Sequence, residues 1–168
     1  IVRAFNEAKH LPALFDGIDA QTYRDFEVIL VDSGSYDRTR EIAEARGARL
    51  VRINSQDFTF GYSLNVGIEA ANGRYIVIVS AHTVPIDGNW LARMIAPLQD
   101  DDVVMSYGRQ IGVSESKFSE ANDFERFFGV RPREDTQRNI KANNANSAIR
   151  KAQWVEKKFD PVLPGLED

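Results

Sequence analysis

Five polar residues of this sequence each stand shortly after a run of apolar residues, where a predicted strand ends. They are Asn6, Glu7, Asp32, Ser80 and His82. Carboxylate and amide groups at the ends of neighbouring strands can accept hydrogen bonds from a nucleotide's base or ribose, while turn amides can face phosphate. An imidazole can ligate a metal ion or, when protonated, offset anionic charge. These residue types are therefore compatible with a nucleotide-binding site, although by sequence alone helix capping is favoured over ligand binding at Asp32.

A structural role competes with ligand binding at Asp32. Asp32 and Ser35 both precede a predicted helix, where their side chains can cap free backbone N–H groups. No G-x-G-x-x-G or G-x-x-x-x-G-K-[ST] motif follows any predicted strand. This absence counts against a dinucleotide-binding fold and against a P-loop ATPase.

The elements that position these residues alternate between strands and helices. The run Tyr75–Val79 is apolar and largely β-branched, which predicts a strand buried on both faces at the centre of a parallel sheet. Helical spacing of Leu11, Leu14, Phe15 and Ile18 predicts the first helix. Further strands are predicted at 1–5, 26–31, 48–53 and 103–105. Further helices are predicted at 35–46, at 62–71 and from Asn89 onward, with Asn89 as its cap.

This alternation predicts an α/β fold in three layers, with a mostly parallel, doubly wound sheet and helices on both faces. In open sheets of this kind, ligands bind outside the carboxyl ends of the strands, which is where the five polar residues fall. After Gln110 the pattern loosens, although residues 118–128 have the pattern of a helix. We interpret residues 1–168 as one domain with a regular half, 1–110, and a less regular half, 111–168.

Composition narrows the classes of function. The chain has 168 residues, 43% of them hydrophobic, a formal net charge of −4 and no cysteine. We expect no nucleic-acid partner, because no long basic run is present, and no disulfide or thiolate metal site. No run approaches the ~18–20 apolar residues of a membrane span. The chain begins without Met inside a predicted strand, and we interpret it as part of a longer chain.

Taken together, several stretches resemble the family 2 glycosyltransferases with the GT-A fold. The first are VRAFNEAKHLPALFDGI at the start and FEVILVDSGSYDRTREIAE at the second strand, turn and helix. GYSLNVGIEAANGRYIVIVSAHTVP resembles that family's G-x-x-x-N-x-G-x-x-x-A-x-G run into its metal-binding strand end. The late NNANSAIRK and Glu167-Asp168 resemble its acceptor-side elements. Each stretch is short, but their order and spacing extend over nearly the whole chain.

The resemblance implies an inverting transfer of a sugar from a nucleoside diphosphate sugar to an acceptor hydroxyl. It implies that Asn6, Glu7 and Asp32 contact the base and ribose of the donor, and that Asp168 is the catalytic base that takes the proton of the hydroxyl. A divalent cation, Mn²⁺ or Mg²⁺, normally stabilises the diphosphate leaving group. The expected donor is a UDP-, dTDP- or GDP-sugar, and the expected acceptor is a carbohydrate or a lipid-linked molecule.

The sequence departs from that family at the metal-binding strand end, where Ser80-Ala81-His82 replaces the usual Asp-x-Asp. Mg²⁺ and Mn²⁺ prefer oxygen ligands, and Ser80 is a poor substitute for a carboxylate. Three roles for His82 stay open: a metal ligand through an imidazole nitrogen, a protonated contact to the diphosphate without metal, or a structural histidine.

Further residues complete the candidate site. Arg109 follows a predicted strand and can grip phosphate or an acceptor carboxylate through its planar fork, or form a surface ion pair. Asn144 and Asn146 can hydrogen-bond sugar hydroxyls, or serve as ordinary loop residues. The resemblance adds Glu167 to the acceptor side. We expect Trp154 to be a buried anchor in preference to a surface on which a sugar stacks.

We therefore expect a glycosyltransferase catalytic domain in which residues 1–110 bind the nucleotide sugar and residues 111–168 face the acceptor. The resemblance implies a role in polysaccharide or cell-surface glycan synthesis, in the cytoplasm or at the inner face of the membrane. The competing hypothesis is a non-catalytic nucleotide-sugar-binding or interaction domain that has lost Asp-x-Asp. A nucleotide-sugar pyrophosphorylase is disfavoured, because residues 6–9 lack a Gly-rich basic loop.

Overall fold

The computed structural model of the chain describes residues 1–112, 124 and 144–163. These residues form one six-stranded sheet with helices on both of its faces. The strands are β1 Val2–Ala4, β2 Ile29–Asp32, β3 Arg49–Arg52, β4 Tyr75–Ser80, β5 Met105–Tyr107 and β6 Asn146–Arg150. The α-helices are α1 Leu11–Asp19, α2 Thr39–Ala45, α3 Phe60–Ala70, α4 Trp90–Ile95 and α5 Lys151–Glu156, and short 3₁₀ turns lie at Ser55–Asp57 and Ala96–Gln99.

The strand order is β3-β2-β1-β4-β6-β5. β1 pairs in parallel with β2 and β4, and β2 pairs in parallel with β3. β6 runs antiparallel to both β4 and β5, so β5 has the same direction as the four parallel strands. Five strands therefore end at one edge of the sheet, which we call the carboxyl edge, and β6 begins there.

Alternation along the strands divides the core into two layers. On one face, Val2 and Leu30 pack against the apolar stripe of α1, and the α4 residue Trp90 lies against the same cluster. On the other face, Val31 and Ile78 pack against α3 and α5. The predicted α/β fold, mostly parallel with helices on both faces, is confirmed.

The strand β6 was not predicted, because its sequence Asn-Ser-Ala-Ile-Arg lacks the apolar run of a central strand. All five of its residues are nevertheless buried between β4 and β5. The polar side chains are accommodated because they have partners: Arg150, for example, donates to the carbonyls of Asp100 and Asp101, each at 2.8 Å. Tertiary contacts thus decide a strand that residue preference does not favour.

Neither of the two predicted capping side chains bonds to its helix, although Asn89 does occupy the N-cap position of α4. Ser35 does not begin a helix, because α2 starts at Thr39 and the Ser35 hydroxyl instead accepts the backbone N–H of Asn6 at 2.9 Å. Asn89 precedes α4, but its side chain makes no capping bond and accepts the hydroxyl of Thr22 at 2.8 Å. In both cases a neighbouring loop takes the side chain that local sequence assigns to the helix.

Two predictions about the second half of the chain have different outcomes. The strand predicted at 103–105 is shifted to Met105–Tyr107, because the N–H of Val103 bonds back to the Asp100 carbonyl in a turn. Trp154 is a buried anchor, as expected, with 3% of its surface exposed.

The helix predicted at 118–128 lies outside the described residues, except for Phe124. Within residues 1–112, 124 and 144–163, none of the helices has the length and apolar character of a membrane span.

Candidate functional site

The carboxyl edge of the sheet collects predicted site residues from five strands. β1, β2 and β4 are neighbours, so the loops that follow them meet at the centre of this edge. β6 begins at the same edge, and β5 ends there. The predicted residues at this edge are Asn6, Glu7, Asp32, Ser80, His82, Arg109, Asn144 and Asn146.

Asn6 joins the loop after β1 to the loop after β2. Its backbone has a positive φ of 57°, a conformation that Asn tolerates better than most residues. Its side-chain oxygen accepts the N–H of Tyr36 at 3.0 Å, while its own N–H donates to Ser35. The neighbouring N–H of Glu7 donates to the Thr39 hydroxyl at 2.7 Å. The two loops therefore support each other.

Asp32 is buried, with 1% of its surface exposed, and it organises the turn after β2. Its carboxylate accepts the backbone N–H groups of Gly34 and Ser35, each at 3.2 Å. Gly34 has a φ of 93°, a conformation that favours glycine. The structural role considered for Asp32 is thus a turn and not a helix cap, and its predicted contact to a nucleoside stays a prediction.

Asp37 also joins the loop after β1 to the loop after β2. Its carboxylate accepts the N–H of Ala8 at 3.1 Å and the N–H of Thr39 at 2.9 Å. Partial burial works to raise the pKa of Asp37, but the hydrogen bonds from Thr39 and Ala8 outweigh it and bring this pKa below its ordinary value. The carboxylate form of Asp37 therefore holds the edge of the site in place.

Ser80, His82 and Glu7 form the centre of the candidate site. The Ser80 hydroxyl lies 3.2 Å from Nε2 and 3.4 Å from Nδ1 of His82. His82 Nδ1 lies 3.8 Å from a carboxylate oxygen of Glu7, and 62% of the His82 side chain is exposed. The ring of His10 makes an edge contact with the His82 ring at a centroid distance of 6.3 Å. A ligand at this edge can therefore reach His82 from solvent.

Asn144 and Asn146 flank Ser80 because the backbone N–H of Ser80 donates to the carbonyl of Ala145 at 3.0 Å. Both side chains are buried. The side-chain oxygen of Asn146 accepts the indole N–H of Trp90 at 2.9 Å, and that of Asn144 accepts the Ser147 hydroxyl at 3.0 Å. These contacts position the start of β6 beside the site, and the predicted contacts to sugar hydroxyls stay predictions.

Arg109 is at the same edge but apart from the centre formed by Ser80, His82 and Glu7. Arg109 is exposed beyond β5, and the N–H of the preceding Gly108 donates to the Asn146 carbonyl at 2.9 Å, so this loop runs beside the start of β6. Glu167 and Asp168 lie outside the described residues. The acceptor-side role of Glu167 and the role of Asp168 as catalytic base stay predictions.

Sequence reasoning missed two residues at this edge, Arg3 and His10. The signal for Arg3 was present, because a charged residue stands between Val2 and Ala4 in a strand that is otherwise apolar. Arg3 donates to the carbonyl of Phe60 at 3.4 Å, and its guanidinium lies 4.8 Å from the centre of the Phe60 ring. Nothing in the sequence pattern places His10 beside His82, since only the fold brings the two loops together.

The described residues at this edge do not fit a preformed site for Mn²⁺ or Mg²⁺. Such ions prefer several oxygen ligands, most often carboxylates. Ser80 and His82 offer one hydroxyl and one imidazole, with Glu7 as the adjacent carboxylate. In the part of the chain that the structure describes, no three His, Cys, Asp or Glu side chains group closely enough to hold a metal ion.

A large cavity of about 720 Å³ lies at the opposite edge of the sheet. Its lining includes Val28, Tyr75 and Leu91, at the amino ends of β2, β4 and α4. The lining also includes the polar residues Asp25, Glu27, Asn72 and Arg74. The predicted site residues are at the carboxyl edge instead, where open α/β sheets bind their ligands. We therefore place the candidate site by its chemistry and not by the size of this cavity.

The sequence of this chain is similar to those of known proteins. The sequence profile of glycosyl transferase family 2 matches residues 1–159. A relative named PGL/p-HBAD biosynthesis glycosyltransferase, from Mycobacterium tuberculosis, is 35% identical over 100 residues, which are 57% of this chain and 39% of the relative. The chain thus spans about two fifths of the length of this curated relative.

Solved structures show the same fold. S. aureus TarS 1–349 in complex with UDP superposes with a TM-score of 0.74 at 18% identity, over 99% of this chain and 51% of that chain. The mannosyltransferase PcManGT from Pyrobaculum calidifontis, in complex with GDP-Man and Mn²⁺, superposes with a TM-score of 0.70 at 18% identity, over 96% of this chain and 47% of that chain. These neighbours are GT-A glycosyltransferases, so the expected GT-A fold is confirmed.

The profile match extends over nearly the whole chain, and the fold and the order of the motifs agree with it. This chain belongs to glycosyl transferase family 2.

Proposed function

We propose that this domain transfers a sugar from a nucleoside diphosphate sugar to the hydroxyl of an acceptor, with inversion at the anomeric carbon. The observation that carries the proposal is the meeting of Asn6, Glu7, Asp32, Ser80 and His82 at one edge of the sheet. Family membership supports transferase chemistry over a domain that only binds nucleotide sugars, because the relatives are named as glycosyltransferases.

The donor is held, in this proposal, by the loops after β1 and β2. Asn6, Glu7 and Asp32 face the nucleoside, where their oxygens can accept hydrogen bonds from the base and the ribose. His82 stands next to the diphosphate, where a protonated imidazole offsets anionic charge. Arg109 adds a planar guanidinium from the side of β5.

The donor class is a UDP-, dTDP- or GDP-sugar. TarS was solved with UDP and PcManGT with GDP-Man, which supports a nucleotide-sugar donor without choosing between the bases. PcManGT also contains Mn²⁺. Since the residues at Ser80–His82 do not assemble a metal site by themselves, we propose no step through a metal ion here.

The acceptor side consists of Asn144, Asn146, Glu167 and the catalytic base Asp168. As the acceptor oxygen attacks the anomeric carbon it must lose its proton, and a carboxylate within hydrogen-bond reach can take it. The acceptor is proposed to be a carbohydrate or a lipid-linked molecule. A role in polysaccharide or cell-surface glycan synthesis, in the cytoplasm or at the inner face of the membrane, belongs to the same proposal.

Calorimetric titration of UDP, dTDP and GDP into the protein tests the donor site. Each nucleotide is titrated once with EDTA and once with Mn²⁺. We expect one of the three nucleotides to bind. If Mn²⁺ strengthens its binding by at least about tenfold, equivalent to ~1.4 kcal/mol, and His82→Ala abolishes this gain, His82 is identified as a metal ligand. Equal binding in both conditions would support a metal-free site. No binding of any nucleotide to a folded sample would refute the proposed function.

A further inference from the structure

The segment that follows α5 lies along α3 without regular secondary structure of its own, and we call its residues 157–163 the strap. Near the end of α3, the ammonium group of Lys158 lies 3.1 Å from the carboxylate of Glu69. At the start of α3, the hydroxyl of Thr59 donates to the carbonyl of Pro161 at 2.8 Å. The strap therefore runs antiparallel to α3.

The direction of the strap brings the chain back to the candidate site. β6 runs antiparallel to β4, so β6 ends at the edge of the sheet opposite the carboxyl edge, and α5 begins there. α3 follows β3 and therefore begins at the carboxyl edge. A segment antiparallel to α3 leads from the opposite edge towards the carboxyl edge, where Ser80 and His82 lie.

Asn65 holds the middle of the strap through three hydrogen bonds. Its side-chain N–H donates to the Phe159 carbonyl at 2.8 Å, and its side-chain oxygen accepts the Phe159 N–H at 3.1 Å. The same oxygen accepts the indole N–H of Trp154, the buried anchor of α5, at 2.8 Å. An amide carries both a donor and an acceptor, so one side chain satisfies both backbone groups of a strap residue.

Gly61 allows the strap to approach α3 closely. It is buried and lies one helical turn before Asn65, so the two residues share a face of the helix. A Cβ on Gly61 would overlap the carbonyl of Asp160. Glycine in a helix costs about 1 kcal/mol relative to Ala, so α3 has a less favourable helix residue at the point where the strap packs against it.

The G-x-x-x-N-x-G run that begins at Gly61 thus divides its positions between two contacts. Gly61 and Asn65 face the strap. Gly67 faces the sheet, because a Cβ there would crowd the side chain of Val31 in β2. The run therefore packs α3 against the sheet on one side and against the strap on the other.

We propose that Asn65 and Gly61 are positioning residues for the catalytic base Asp168. This inference rests on the proposed function, in which Asp168 takes the proton of the acceptor. Asp168 follows Leu163, the end of the strap, by five residues, and five residues span at most about 17 Å. The place at which α3 holds the strap therefore limits where the Asp168 carboxylate can lie.

The proton transfer is the step that depends on this placement. The bond between the anomeric carbon and the diphosphate oxygen breaks, and its electron pair stays on the diphosphate. The acceptor oxygen forms the new bond, and its proton passes to the Asp168 carboxylate. A base must be within hydrogen-bond reach of that proton, and a displacement of about 1 Å can lower the rate by about a hundredfold.

The test separates turnover from donor binding in the full chain. Release of nucleoside diphosphate is measured from UDP-N-acetylglucosamine, GDP-mannose and dTDP-glucose, with water as the acceptor, and calorimetry measures the affinity for UDP, GDP and dTDP. We expect Asn65→Ala to lower kcat by about tenfold or more, and to leave both the KM of the donor and nucleotide affinity within about twofold. A residue that only stabilises the fold would leave the kcat of the folded protein unchanged.

Gly61→Ala is a second variant, because Asn65→Ala also leaves the buried indole N–H of Trp154 without its acceptor. Gly61→Ala removes no hydrogen-bonding side chain and gives α3 a better helix former, so it displaces the strap without weakening the helix. We expect the same fall in kcat with unchanged nucleotide affinity. An unchanged kcat in Gly61→Ala would overturn the inference.

The matched control for Asn65→Ala is Asn72→Ala. Asn72 is exposed just beyond the other end of α3, where its side-chain N–H donates to Glu27 at 3.5 Å. The same loss of an amide, away from the strap, should leave kcat unchanged. An equal fall in kcat would mean that any loss of a contact near α3 lowers turnover, which would overturn the inference.

The position of the strap can be measured directly, because the chain has no cysteine. Spin labels on Glu41→Cys and Val162→Cys, both at exposed positions, report the distance between α2 and the strap. We expect one narrow distance distribution with the native strap contacts and a broader or shifted one with Gly61→Ala. A fall in kcat without any change in this distribution would show that Gly61 does not act through the strap, and the inference would fall.

The outcomes separate this inference from the proposed function. If the unaltered protein neither binds a nucleotide nor releases one from a sugar donor, both fall. If it binds a nucleotide but turns over none of the donors, the transfer and this inference fall and the nucleotide site stands. If it turns over a donor and both variants keep the original kcat, only the inference about Asn65 and Gly61 falls.

Discussion

Asp168 is the single residue on which the proposed chemistry depends. A carboxylate accepts the proton of the acceptor hydroxyl, whereas the amide of Asn cannot act as a base. We expect Asp168→Asn to abolish sugar transfer and to leave donor affinity within a few-fold of the original value. Transfer is measured by nucleoside diphosphate release, and donor affinity by calorimetry. Asp102→Asn, on an exposed turn, is the control. Undiminished transfer by Asp168→Asn would exclude the base assignment.

Asn6 combines a strained backbone with a hydrogen bond between loops. The effects of these two features on the free energy of unfolding can be measured separately. Asn6→Ala loses the bond to the Tyr36 N–H and keeps a positive φ that Ala tolerates poorly, so the free energy of unfolding should fall by about 2 kcal/mol. Asn6→Gly loses the same bond but adopts this φ freely, so the loss should be about 1 kcal/mol. Urea denaturation measures both. Equal losses would mean that backbone strain contributes nothing.

At the scale of elements, the loops after β1 and β2 should respond to pH through Asp37. The pKa of Asp37 is lower in the folded chain than its ordinary value of 3.8, because the hydrogen bonds from Thr39 and Ala8 outweigh burial. The stabilisation is therefore present above that ordinary value and is lost as the pH falls through the folded value. We expect Asp37→Asn to lower the free energy of unfolding at about pH 6, and the difference from the original protein to shrink towards about pH 3.

Urea denaturation of both proteins across this pH range measures the effect. Asp102→Asn, whose carboxylate is on an exposed turn, serves again as the control and should show no such convergence. A difference between the original protein and Asp37→Asn that stays constant down to low pH would show that the carboxylate form is not what joins the loops.

At the scale of the whole molecule, Arg150 joins three parts of the fold. From β6 it donates to the carbonyls of Leu98, Asp100 and Asp101, at 3.3, 2.8 and 2.8 Å, and so fixes the turn between α4 and β5. Arg150→Leu leaves these carbonyls without their donor, and we expect the free energy of unfolding to fall by about 2–4 kcal/mol. Thermal or urea unfolding measures the change.

Arg46→Leu provides the comparison for Arg150→Leu. Arg46, like Arg150, is an arginine with several close contacts. These contacts are ion pairs with Asp16 at 2.5 Å and Asp19 at 2.8 Å, and they are on the surface. Exposed ion pairs contribute little because solvent screens them. We therefore expect a much smaller effect than at Arg150, and equal effects would show that the buried contacts of Arg150 do not stabilise the sheet.

Prediction from sequence worked best for elements with a regular apolar pattern. The buried residues of α1 are those that helical spacing selects, and β4 was predicted within one residue because a β-branched run tolerates few other structures. It failed for β6, whose polar residues are stabilised by partners far along the chain. It also failed for the caps at Ser35 and Asn89, where another loop competes for the side chain.

The candidate site divides in the same way. The sequence by itself determined which residues are candidates for the chemistry, because residue type and position at a strand end are local properties. Asn6, Asp32, Ser80 and His82 could be selected from it. Only the tertiary structure decided which of them meet and what surrounds them. Arg3 lies beside Ser80 because β1 and β4, more than 70 residues apart, are paired in one register. Register depends on the packing of the whole sheet, and no local pattern contains it.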